Sequence, residues 1–169
     1  LHEGKVAEAA PAGARVVDAD GLLVLPGIID VHGDAFERQV MPRPGVAFDL
    51  VTALLDTDRQ LVANGITTAF HGVTWSWEPG LRGAANARAL LAALETLGDD
   101  LAADTRYHLR HETFNLDGEA EILDWLTTGR VGCLAFNDHM AGTLKERARP
   151  EKIGKMIERS GLDRDDFMR

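Results

Sequence analysis

At 169 residues, 45% hydrophobic and 27% charged, the chain has the composition of a globular protein, and its length sets a prior of one domain. Its net charge of −9, from 18 Lys and Arg against 27 Asp and Glu, comes without a basic run and so argues against nucleic acid as the main partner. An anionic substrate would need local compensation from metal ions or a few placed arginines.

The first residues, Leu1-His2-Glu3-Gly4, show neither the charged region nor the apolar core of a signal peptide, so a cytoplasmic protein is expected. They also lack an initiator Met, which reads as the middle of a longer chain. Residues 1–21 are Ala- and Gly-rich with a β-like run at Arg15 to Asp18, and residues 1–24 predict part of a small β-domain ahead of the main one at 25–169. The longest apolar stretch, Leu22 to Val31, is broken by Pro26 and Gly27 and is too short to span a bilayer.

From Gly27 the pattern alternates. Gly27 to Val31 predicts a short strand. Asp49 to Ala63 has helical spacing in Leu50, Leu54, Leu61 and Val62, and stops at Asn64-Gly65. Ile66 to Val73 predicts a strand, Arg82 to Leu97 a helix closed by Gly98, and Thr105 to His111 a strand. Glu119 to Thr128 predicts a helix closed by Gly129, and Val131 to Asn137 a buried strand in which the lone Cys133 is an inert core thiol. The helix-like Pro150 to Arg159 and the tail Asp163 to Arg169 carry no motif and read as a solvated face. This order predicts an α/β fold whose parallel strands are covered by helices on both sides. Periodicity alone leaves a doubly wound sheet and a (β/α)8 barrel open. In both, ligands sit at the C-terminal ends of the strands, where His32, His71, His111 and His139 are expected to fall.

His32-Gly33-Asp34 directly follows the first strand. Residues two apart on a strand point the same way, so an imidazole and a carboxylate at this spacing can grip one metal ion; a solvated polar turn is the plainer reading. On the third strand, His108, Arg110 and Glu112 share a facing if the strand is regular. Glu112 can bridge cations or cap a helix, and Arg110 can bind a substrate phosphate or neutralise Glu112. His139, beside Asp138, is a competent ligand or a structural imidazole, and Asp138 can orient a ligand or shuttle protons. Arg43, held between Pro42 and Pro44, presents its guanidinium with little entropy left to lose, as a phosphate clamp or as a surface ion-pair partner. His71 is expected to bond within the core. Trp75 and Trp77 pack the following loop or form an aromatic wall.

The stretch Leu25-Pro26-Gly27-Ile28-Ile29-Asp30-Val31-His32 resembles the first barrel strand of the amidohydrolase superfamily. His32-Gly33-Asp34, Glu37 and Met41-Pro42-Arg43-Pro44-Gly45-Val46 are similar to the PhnM-type branch, the triphosphate diphosphatases of phosphonate breakdown. The resemblance continues at Asn64-Gly65-Ile66-Thr67-Thr68, at His108-Leu109-Arg110-His111-Glu112 and at Asn137-Asp138-His139. It implies the first half of a TIM-like barrel with one or two divalent ions, zinc or alternatively manganese or iron, held by His32, Asp34, Glu112 and His139. It further implies that Arg43 and Arg110 bind a small phosphorylated substrate and that Asp138 assists the chemistry. The implied reaction cleaves a ribose 1-phosphonate 5-triphosphate to the 5-phosphate and pyrophosphate. Another His and a barrel-end Asp are implied beyond Arg169, so these residues alone are expected to be inactive and to associate, as a homo-oligomer or with the missing half. A deaminase, an N-acyl deacetylase and a non-enzymatic binding module stay as alternatives.

Overall fold

The structure is a computed structural model that describes residues 4–140, 142 and 150–168. Its elements, in chain order, are β1 (Ile28–Gly33), α1 (Phe36–Val40), α2 (Leu50–Ala63), β2 (Ile66–Trp75), α3 (Ala84–Leu97), β3 (Asp104–Glu112), α4 (Glu119–Thr127), β4 (Cys133–Asn137), α5 (Pro150–Ser160) and α6 (Arg164–Phe167). The four strands form one parallel sheet in the order β1-β2-β3-β4.

That order distinguishes the two architectures left open by the sequence. A doubly wound sheet reverses its strand order at a switch point, and no reversal occurs among these strands. Crossovers of one hand, wound in one direction, put the helices that connect the strands on the same face. Ala69, Val73, Trp75, Tyr107 and Leu109 point to that face, and all but Ala69 join residues of α1, α2, α3 and α4 in one apolar cluster. The expectation of helices on both sides is therefore corrected. The result is a curled partial barrel with one helix-covered face and one inner face.

Local chemistry fixes the elements. The Asp49 carboxylate accepts the Thr52 N–H at 3.0 Å and starts α2. Gly65, at φ +77°, takes the left-handed turn that ends it. Asp58 is buried in α2, and its carboxylate accepts the Ala102 and Ala103 N–H groups at 3.0 and 2.9 Å, just ahead of β3. The aromatic core sits between α3, α4 and the strands: Trp125 meets Trp75 and Tyr107 edge-on, with centroids 5.2 and 6.0 Å apart. The Tyr107 hydroxyl donates to the Ala87 carbonyl at 2.9 Å.

Two other expectations are revised. Residues 6–27 contain no strand and are largely exposed, including Arg15 to Asp18 and the Leu22 to Leu25 run. Among the described residues no strand lies beside these apolar side chains to pair with, and pairing is what makes such a run a strand. β4 is an edge strand and is not buried: Phe136 is 70% exposed, and Cys133 is half-buried on the inner face, opposite His108. At the other edge, Ile28, Ile29 and Val31 of β1 are exposed. No helix among the described residues is long and apolar enough to cross a membrane.

Leu109, fully buried between β3 and the helices, should be costly to truncate. Leu109→Ala is expected to lower the unfolding free energy by about 3 kcal/mol, measured by urea denaturation. A loss below about 1 kcal/mol would mean that this side of the sheet is not packed.

Candidate functional site

The inner face carries the chemistry because β3 is regular. Its even-numbered residues, Arg106, His108, Arg110 and Glu112, point away from the helix layer that Tyr107 and Leu109 enter. Register aligns Gly72 with His108, Arg110 with Ala135 and Glu112 with Asn137, so these positions line one surface toward the C-terminal strand ends.

Glu112, only 7% exposed, stands at the end of β3 with both oxygens directed to the turn after β4. Oε2 accepts the His139 backbone N–H at 3.2 Å, and Oε1 lies 2.5 Å from His139 Nδ1. With Nδ1 engaged on a carboxylate and the side chain exposed, Nε2 is the nitrogen left for a ligand or a proton. Asp138, between β4 and His139, is exposed.

His32 lies on the inner face because β1 is not regular. Asp30 pairs with Ala69 and Gly33 with His71, so one extra residue is accommodated between them, and Val31 and His32 have no partner on β2. The His32 ring then meets His108 edge-on, with centroids 5.1 Å apart. Asp34 follows the end of β1 and does not continue its alternation. It belongs to the turn into α1, where its carbonyl accepts the Glu37 N–H. Its carboxylate acts on Arg82: burial works against that guanidinium's charge, and Glu37, Glu78 and Asp34 more than restore it.

The structure thus brings Glu112 to His139 and His32 to His108. Imidazoles and carboxylates are the right donor types for zinc, manganese or iron. Among the described residues, however, no group of three or more His, Cys, Asp or Glu gathers closely enough to hold a metal ion. These residues fit part of a coordination shell and do not close one.

Arg110 is half-buried, its stem crossing Gly72, where a Cβ would stand 3.3 Å from Arg110 Cδ. It makes no ion pair with Glu112, whose carboxylate is turned to His139. Arg43 is exposed in a tight turn closed by the Val46 N–H on the Arg43 carbonyl at 3.1 Å; Pro44 and Gly45, at φ +73°, form its centre. Trp75 is in the aromatic core, whereas Trp77 meets Phe167 of α6, with centroids 6.2 Å apart.

Two histidines expected at strand ends are turned the other way. β2 runs on to Trp75, so His71 lies within the strand, on the helix side, against the Phe36 ring of α1 at 5.2 Å. His111 faces the helix layer beside Phe136. Sequence reasoning also missed the ion pairs that tie the loop after β2 to its neighbours. Arg82 donates to Glu37 at 3.0 Å, and Arg159 of α5 donates to Glu78 at 2.8 and 2.5 Å. No periodic signal marks such pairs.

Comparison with known proteins adds one relation. Over 76 residues, 43% of this chain, the sequence is 32% identical to alpha-D-ribose 1-methylphosphonate 5-triphosphate diphosphatase of Escherichia coli (strain K12). The matched region spans 20% of that relative's length. No protein-family profile and no solved structure matches.

His71 gives the fold a pH dependence. Burial pushes its pKa down to about 4, against the opposing pull of Asp30 and Asp58. The unfolded chain takes up a proton near the ordinary value of 6.5, while the folded chain resists until about 4. Stability is therefore full above that range and falls as the pH drops through it, by up to about 3 kcal/mol. Urea denaturation across this range should show the slope in the wild type and a flatter profile in His71→Leu; equal slopes would remove His71 as the cause.

Proposed function

We propose that this chain forms the first part of a (β/α)8 barrel of the amidohydrolase superfamily, in a metal-dependent hydrolase of phosphonate catabolism. The substrate is a ribose 1-phosphonate 5-triphosphate, cleaved to the 5-phosphate and pyrophosphate. The observation that carries this reading is the inner face itself, where Glu112 holds His139 at the strand ends and Arg110, unpaired with that carboxylate, lies beside them. The similarity to the diphosphatase supports the choice of substrate.

In this reading His32, Asp34, Glu112 and His139 are donors to one or two divalent ions, with the remaining donors supplied by residues outside 1–169. Zinc, or manganese or iron, supplies when bound a Lewis acid and a water of lowered pKa. The chain's own residues do the rest. Glu112 fixes the orientation of the His139 imidazole, and Asp138 accepts a proton beside it. Arg110 and Arg43 bind phosphate oxygens, the first from a position restricted by the sheet and the second from a turn restricted by two prolines. A triphosphate is strongly anionic and the chain carries −9, so these two cations set where the substrate can bind.

The test uses the full-length protein with added zinc, manganese or iron, and follows pyrophosphate release from ribose 1-methylphosphonate 5-triphosphate. Arg110→Gln is expected to raise KM at least about tenfold, equivalent to about 1.4 kcal/mol, with a smaller change in kcat. Release of ammonia or of a carboxylic acid from amide substrates, with none of pyrophosphate, would assign a different hydrolase. No turnover with any of these metals, together with no bound metal, would leave a binding module.

A further inference from the structure

The bulge in β1 raises a question that packing does not answer: what holds His32 toward the inner face. A β-bulge leaves backbone groups outside the ladder, and such groups need partners or the strand straightens. Val31 and His32 fall in the gap of the register. Each finds a side chain. Asp30 Oδ1 accepts the His32 N–H at 3.0 Å, and His108 lies with Nδ1 2.9 Å from the Val31 carbonyl oxygen. A carbonyl only accepts, so Nδ1 carries the proton and donates it.

This second bond spans the sheet. His108 belongs to β3 and Val31 to β1, with β2 between them. The ring can reach across because the β2 residue aligned with His108 is Gly72. A Cβ there would stand 3.3 Å from Arg110 Cδ, 3.6 Å from the Gly33 carbonyl and 3.6 Å from His32 Cε1. Gly72 is thus the low point over which His32, His108 and Arg110 meet. His108 is 6% exposed and its Nε2 has no partner, so the hydrogen bonding that accounts for its position is the one to Val31. A histidine kept for apolar packing belongs on the helix side, where His71 and His111 lie.

We propose that His108 is a positioning residue: by bonding the Val31 carbonyl across Gly72 it locks the β1 bulge and holds His32 in the orientation the site uses. The inference rests on the reading above, in which His32 is a donor to a divalent ion. It assigns His108 no contact with substrate or metal.

The full-length protein tests it, with zinc affinity measured by competition against a chromophoric chelator and folding checked by circular dichroism. His108→Phe keeps a ring and loses the donor; His108→Asn keeps an N–H in the place of Nδ1 and loses the ring. His108→Phe is expected to bind zinc about 10- to 100-fold more weakly, and His108→Asn to recover most of that loss. Wild-type affinity in folded His108→Phe, or equal weakening in both variants, overturns the proposal. Should His108→Phe fail to fold, Gly72→Ala decides: weakened zinc binding supports the locked bulge and unchanged binding overturns it. His32→Ala is the reference. If it binds zinc as tightly as the wild type, the donor reading of His32 fails and this inference falls with it; if it loses zinc while the His108 and Gly72 variants do not, only the positioning role fails.

Discussion

The two-residue pleat of β3 governs this molecule. One set of its side chains, Tyr107, Leu109 and His111, enters the helix layer, and the other, His108, Arg110 and Glu112, lines the inner face. The same nine-residue segment therefore anchors the aromatic core through Tyr107 and supplies the polar groups of the site. Slipping its register by one residue would exchange the two sets, putting a guanidinium and a carboxylate against Trp125 and a leucine on the inner face in place of Arg110. Burial of the apolar set, worth about 1.5 to 3 kcal/mol for a side chain such as Leu109, forbids that slip.

Much of the architecture could be read from the letters because local signals and the final fold agree. Asp49 caps α2, Gly65, Gly98 and Gly129 close three helices at positive φ, and the apolar runs between them become the strands. What could not be read depends on partners. Whether Val131 to Asn137 is central or an edge is decided by what pairs beyond it, and Phe136 looks equally apolar either way. The direction in which His71 points depends on how far β2 extends, and its continuation through Thr74 and Trp75 places that imidazole in mid-strand. For the site, the alternation of His108, Arg110 and Glu112 was plain, and Glu112 does share a face with His108. The bulge was not, since an extra residue in one strand leaves no mark in that strand's own sequence. It is the reason His32 and Asp34 do not behave as a simple alternating pair.

Electrostatics organise the loops above the strands more than the sheet itself. Arg82 lies among Glu37, Glu78 and Asp34, and Glu78 in turn receives both donors of Arg159. This links the turn after β1, the loop after β2 and α5 through charges that are largely removed from water. Bidentate geometry of the Arg159 kind is directional as well as attractive, so it specifies where α5 docks. Ile153 and Ser160, both buried, complete that contact.

Because every strand pairs only with the one immediately before or after it in the chain, the sheet can grow in the order of synthesis. Each new parallel crossover spans one helical segment and its loops, so each closure step joins strands near one another in the chain. A ribosome-bound chain that has emerged only through α4 already owns the Trp75, Tyr107 and Trp125 nucleus. β1 and β4, each paired on one side alone, then carry the open edges of the sheet, and exposed Ile28, Ile29, Val31 and Phe136 make those edges its most association-prone surface.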